Sequence, residues 1–111
     1  MVIPPIPRYL LPHSCTLSEK TASDKWGKSE TVRTELKHIR IEPCRSHRLS
    51  LAADIPEVSA KMFVDAVNSF PQDISFEVGD IISFMGRDYT VTKIDFYYAN
   101  GRIHHLEVIM G

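Results

Sequence analysis

Between Phe76 and Met110 the chain alternates short runs of β-branched and aromatic residues with Gly, Asn and Asp punctuation, and no other feature restricts its fold as strongly. Phe76-Glu77-Val78-Gly79-Asp80 leads into Ile81-Ile82-Ser83-Phe84. A turn over Gly86–Asp88 follows, then a long strand from Tyr89 to Tyr98, then Ala99-Asn100-Gly101, then Arg102 to Met110. Residues of this kind fit a pleated, half-buried surface, and the punctuation between them is turn chemistry. The reading is three antiparallel strands in the last third of the molecule.

The last hairpin can be registered from its side chains. A two-residue Asn-Gly turn would set Phe96 against His105 and Asp95 against Leu106, mixing apolar with polar. A three-residue loop, Ala99-Asn100-Gly101 with Gly101 left-handed, instead sets Ile94 against Leu106 and Thr92 against Val108. It also sets Lys93 against Glu107 and Asp95 against His105, so that opposite charges meet. The three-residue loop is the expected one.

At 111 residues the chain fits one domain with a buried core. Its 13 Lys and Arg against 14 Asp and Glu give a net charge of −1, so there is no global basic field of the kind a dedicated nucleic-acid binder carries. The two cysteines, Cys15 and Cys44, form neither a disulfide framework nor a Cys-x-x-Cys pair. Both read as small buried hydrophobes. Met1-Val2-Ile3-Pro4-Pro5 has neither the basic start nor the apolar run of a signal peptide, and no apolar stretch approaches a membrane span. The expected compartment of synthesis is the cytoplasm, with no membrane partner.

Four of the seven prolines lie in the first twelve residues, which predicts an extended arm over 1–12, followed by one domain over 13–111. Ile3, Ile6, Tyr9, Leu10 and Leu11 make that arm apolar. Two dispositions are open to it: along its own barrel as a cover, or onto a neighbouring subunit. His13 to Ser18 reads as a first strand with Cys15 and Leu17 on one face. The polar stretch Ser18–Glu30 contains Trp26, which either folds over the core or anchors an interface. Over Thr31–Glu42, Val32, Thr34 and Leu36 share one face, but Ile39 and Ile41 are one residue out of phase. Side chains alternate with period two, so the slip predicts a bulge near Lys37-His38. Pro43–Val58 lacks strand-length alternation and is bracketed by Pro43 and Pro56, which predicts a long central loop over 43–58. Ser59–Ser69 fits both helical and strand periods, and its β surroundings favour strand. The whole is an all-β chain, a small antiparallel β-barrel with a proline-rich arm and a long loop.

Catalytic chemistry has no motif here. His104 and His105 are adjacent, so on a regular strand they would point to opposite faces, and His13, His38 and His47 are scattered. No metal site and no cofactor are expected. No nucleophile–base motif surrounds a serine or cysteine, and the glycines sit singly at turns rather than in a phosphate loop. Glu77 and Asp80 flank Gly79 as turn formers. No catalytic residue is assigned. Arg40, Arg45, His47 and Arg48 cluster near the start of the long loop, opposed nearby by Glu42. In a single chain this is a solvated loop, whereas repeated around a ring it would contact DNA phosphates without reading sequence.

Several stretches, in order along nearly the whole chain, carry a resemblance. They are Ile3-Pro4-Pro5-Ile6-Pro7-Arg8-Tyr9-Leu10-Leu11-Pro12-His13, Trp26-Gly27-Lys28, Ile39-Arg40-Ile41-Glu42-Pro43, Asp65-Ala66-Val67-Asn68-Ser69, Phe76-Glu77-Val78-Gly79-Asp80 and Ile103-His104-His105-Leu106-Glu107. The chain resembles the small minor capsid proteins of tailed phages and prophages of Gram-positive bacteria, which in turn resemble head-closure, or stopper, proteins of the phage neck. The resemblance implies a virion protein that forms a homo-oligomeric ring between the head-tail adaptor and the tail or tail-completion proteins. It further implies a loop that projects into the channel and helps retain packaged double-stranded DNA, which by order in the chain is Cys44–Val58. Arg45, His47, Arg48, Leu49, Leu51 and Ile55 would then be channel residues, and Ile3, Ile6, Tyr9, Leu10 and Trp26 subunit contacts. The competing expectation is a monomeric cytoplasmic barrel that binds nucleic acid or a peptide. An enzyme built on an unrecognised dyad is a third.

Overall fold

The computed structural model describes the backbone of residues 3–20, 31–49 and 54–111, and the side chains of residues 3–19, 31–43 and 59–111. Its strands are β1 (His13–Lys20), β2 (Thr31–Leu49), β3 (Asp54–Asp65), β4 (Ile81–Phe84), β5 (Arg87–Ala99) and β6 (Arg102–Met110). They close into an antiparallel barrel in the order β1-β2-β3-β6-β5-β4, with β1 paired to β2 on one side and β4 on the other. A 3₁₀ turn, Arg8–Leu10, precedes β1, and the described residues contain no α-helix.

Period-two alternation builds the core. Cys15 and Leu17 of β1, Leu36, Ile39 and Ile41 of β2, and Ala60, Met62 and Val64 of β3 point inward. Ile82 of β4, Tyr89 and Val91 of β5, Val108 and Met110 of β6, and Phe76 ahead of β4 complete one buried cluster. Each large aliphatic side chain buried here contributes about 1.5–3 kcal/mol. Burial pushes the Cys15 thiol up to about 12, and its Sγ lies 3.8 Å from Met62 Sδ. A thiol held protonated this way is apolar filling rather than a nucleophile.

The phase slip in β2 is a bulge. Ser14 pairs with Lys37 and His13 with Ile39, which leaves His38 unpaired at φ 54°. The extra residue lets Leu36 and Ile39, three positions apart, both face the core. The turn after β3 clamps it: Lys37 and Phe70 exchange two backbone hydrogen bonds of 2.9 Å, and the Ser69 hydroxyl donates to the His38 carbonyl. Ser59–Asp65 is strand, as its surroundings suggested, 66–68 is turn, and Phe70 bridges to Lys37. Glu77 and Asp80 form a turn, with the Glu77 N–H donating to Asp80 Oδ2 at 2.8 Å and Gly79 at φ 102°.

Three sequence expectations are corrected. The turn between β4 and β5 is Met85-Gly86 rather than Gly86–Asp88, because Phe84 pairs with Arg87 and both central residues have positive φ, 49° and 77°. That is the backbone whose twist suits a two-residue hairpin.

The last hairpin also turns on two residues, Asn100-Gly101 at φ 54° and 75°, with Ala99 opposite Arg102. Its register then changes, because Tyr98 pairs with Ile103 but Tyr97 pairs with His105. The extra residue is His104 on β6, not a third loop residue. Past this bulge Ile94 faces Val108 and Phe96 faces Leu106, so apolar still meets apolar. Asp95 faces Glu107, a like-charge pair offset by Lys93, 3.3 Å from Asp95, and Lys61, 3.0 Å from Glu107.

The third correction is the loop over 43–58. Its described part is a ribbon: β2 and β3 stay paired from Ile39 opposite Val64 out to Leu49 opposite Asp54. β1 leaves β2 at Ile39, and β6 leaves β3 at Ala60, so beyond these points the two strands pair only with each other. Pro43 and Pro56 do not break the ribbon, for a reason of parity. The Ile41 N–H points away from β3, donating to His13 Nδ1 at 3.0 Å. Pro43 and His47 share that parity, and His47 is the residue opposite Pro56. Both proline nitrogens thus fall on outer edges, where a strand tolerates a missing donor. Residues 50–53, including Leu51, lie outside the described residues.

Candidate functional site

The proline-rich segment lies along its own barrel. Ile3–Pro7 has no regular secondary structure, Arg8–Leu10 is the 3₁₀ turn, and Leu11 is buried. Proline leaves this segment few main-chain donors, and the one on Ile6 is used across the seam. The Ile6 N–H donates to Asp65 Oδ1 at 2.9 Å, and Asn68 Nδ2 donates back to the Ile6 carbonyl at 2.8 Å. Asp65 is the hub of this seam. It is 1% exposed, and its Oδ2 also accepts from the N–H groups of Val67 and Asn68 at 2.9 and 2.8 Å. A buried carboxylate held by three N–H donors is satisfied, and removing any partner would leave a costly charge behind.

The seam continues through β6. The bulge at His104 brings two adjacent rings together, correcting the expectation that they point to opposite faces. His104 Nδ1 and His105 Nδ1 are 2.9 Å apart, and His104 Nε2 lies 2.7 Å from the Pro4 carbonyl oxygen. His105 stacks on Tyr97 with centroids 4.7 Å apart, and its Nε2 lies 3.1 Å from Glu107 Oε2. Burial alone would raise the Glu107 pKa. Hydrogen bonds from Lys61 and His105, and the charges they carry, outweigh that and hold it below the ordinary carboxylate value. Among the described residues no three His, Cys, Asp or Glu side chains gather as a metal site would require, and no helix is long and apolar enough to cross a membrane.

The residues singled out from sequence are distributed as follows. Ile3 walls a groove with Pro5, Val67, Ile103 and His104 and is half exposed. Ile6 is partly buried and Leu10 exposed, both bordering a depression with Arg40 and Phe63, while Tyr9 stands 80% exposed. Arg40 pairs with Glu42 at 2.8 Å in the open and reaches the Leu10 carbonyl at 3.4 Å. Trp26 and Leu51 lie outside the described residues. Arg45, His47, Arg48, Leu49 and Ile55 sit on the paired backbone of the ribbon, their side chains outside the description. The arm residues and the ribbon residues therefore belong to separate elements rather than one pocket.

Sequence reasoning missed Asp65, Asn68, His104 and His105. The signal for the first two is Asp-x-x-Asn at the end of a strand, where an Asp side chain caps the N–H groups two and three residues on. For the histidines it is the odd spacing of Ile103 and Leu106, the same slip that marked His38. Both apolar residues line one groove with Ile94 and Phe96, which a regular strand would not allow.

No curated protein matches the chain significantly. The family model described as minor capsid protein matches residues 7–110, from the end of the arm through the last strand. The match runs over the closed barrel and the ribbon leaving it, and the chain belongs to the minor capsid protein family, structural components of the phage virion.

Proposed function

We propose that this minor capsid protein acts in the phage neck as a head-closure protein, assembling as a ring between the portal-side adaptor and the tail and helping retain packaged DNA. The observation that carries the reading is the ribbon formed by the distal parts of β2 and β3. It leaves the barrel with both outer edges unpaired beyond Ile39 of β2 and Ala60 of β3, and its sequence holds Arg45, His47 and Arg48. In a ring such ribbons would line a shared channel. Basic residues there would meet DNA phosphates by charge alone, independent of base sequence. Ile3, Tyr9 and Leu10, exposed on the arm, would supply side-chain contacts between neighbours.

The test replaces His47–Pro56 with Asn-Gly, a two-residue turn that closes the shortened ribbon. Particles carrying the replacement should assemble but lose DNA on storage, read as nuclease-sensitive genome in the supernatant. Intact, infectious particles would overturn the channel role. Rings of purified protein in negative stain, or attachment to tail-less heads, support the neck reading. A strict monomer that binds short DNA in low salt and ignores heads would instead favour a nucleic-acid-binding module.

A further inference from the structure

Beyond Val91, β5 has an open side. Thr90 exchanges both hydrogen bonds with Gly111, at 2.9 and 3.0 Å, so Val91 turns its main chain the other way, to Asp80 and Gly79. At the far end Ala99 closes the hairpin against Arg102. Counting back from that pair puts the main-chain groups of Tyr98, Phe96 and Ile94 on the outer side, with Val91. β4 pairs with β5 only as far as Thr90, and among the described residues no main-chain group meets these three from outside. The side chains along this edge suit a contact. Phe96 is 53% exposed and Tyr98 66%, with Tyr97 and Ile103 also exposed, and Ile94 and Phe96 wall an apolar groove with Ile74 and Leu106. The two ribbon edges carry Pro43 and Pro56, but residues 93–98 hold no proline, and Lys93 is neutralised within its own strand by Asp95 at 3.3 Å. Proline and unpaired lysine are the usual guards of an edge, and this one has neither.

We propose that this edge of β5 pairs antiparallel with the same edge of a second copy, with Phe96 on the twofold axis. Strand addition joins the outward main-chain groups, and a twofold contact between them must centre on a residue. The side chains choose which one. Centring on Asp95 would oppose two carboxylates. Centring on Ile94 would set Tyr97 and Tyr98 opposite Val91 and Thr90, where Asp80, Gly79 and β4 already pair. Centring on Tyr97 would run Ile94 against Asn100 of the turn. Centring on Phe96 stacks the two Phe96 rings, sets Ile94 opposite Tyr98, and gives the Asp95 carboxylate the Tyr97 hydroxyl as a donor. The three exposed aromatic side chains of each copy would together cover on the order of 600 Å². Main chain and Ile103 add to that, bringing the contact toward the lower range of specific interfaces, about 1,200 Å². A twofold contact is separate from the head-to-tail contacts that close a ring, so it stands or falls apart from the neck assembly.

The experiment is disulfide trapping in solution, in a Cys44→Ser background, Cys15 being buried. Opposed residues of such a pair sit about 5.5 Å apart at Cα, a span a disulfide can bridge. Phe96→Cys should oxidise to a linked dimer. Lys93→Cys, which the register sets opposite Ala99 rather than its own counterpart, should link about tenfold less. Sedimentation of the wild type at roughly 100 μM, where a micromolar contact is saturated, should give a dimer. Tyr98→Pro removes one outward donor and should raise the dissociation constant about tenfold or more. The unmodified protein provides a reading that needs no variant: the N–H groups of Phe96 and Tyr98 should gain exchange protection as concentration rises. Protection that ignores concentration, or equal linkage at both cysteines, would overturn the proposal. So would a monomeric wild type, which would leave the edge to a strand from another protein.

Discussion

His38 sits at φ 54° with an exposed side chain, held there because the bulge gives β2 two inward apolar phases. A left-handed backbone costs an ordinary residue about 1–2 kcal/mol, and more when the side chain is β-branched. His38→Gly should therefore melt at or slightly above wild type, and His38→Val should lose about 1–2 kcal/mol in denaturant titrations. This position was legible in advance because Leu36 and Ile39 announce it through their spacing. Glu107 was not, because its partners arrive from β3 and from the far side of a bulge. Its carboxyl is depressed in the folded state, so its contribution is present above the unfolded value, about 4.3, and fades as pH falls through the lower folded value. Glu107→Gln should be less stable than wild type at neutral pH, and its stability should fall less steeply below about pH 4.3. Parallel acid limbs for the two proteins would show that another carboxylate governs the limb.

Among the elements, the strands of the last third were readable because each carries its own alternation and its own turn. Their register was not. Side-chain matching assumed one constant offset along the hairpin, whereas β6 takes up an extra residue at His104 and β5 another at Thr92, between the pairs Val91–Met110 and Lys93–Ile109. The ribbon was missed for a different reason. Proline is read as a strand breaker, which holds for a strand flanked on both sides, yet here both prolines stand on outer edges. The pairs from Ile39 opposite Val64 to Glu42 opposite Lys61, which hold Ile41 and Met62 of the buried cluster, remain when the ribbon's far end is removed. Replacing His47–Pro56 with Asn-Gly should accordingly leave the thermal midpoint of the isolated protein within a few degrees of wild type. A large drop would mean that the ribbon is part of the folding unit.

For the molecule as a whole, closure settles where another chain can attach by its backbone. Along its doubly paired stretches the closed barrel offers neighbours only side chains, and the ribbon is one of the places where main-chain groups are left over. Family membership says that the chain serves in a particle, and a particle needs subunits that wait for one another. The placement of Pro43 and Pro56 bears on that waiting. Each removes a donor from an outer edge that another strand would otherwise use to pair. Pro43→Thr combined with Pro56→Thr should restore those donors, and sedimentation should then show concentration-dependent polymers where wild type gives a discrete species. An unchanged sedimentation profile would show that the prolines do not guard the edge. Two missing donors would thus keep an outer strand edge from extending by backbone pairing with a second copy.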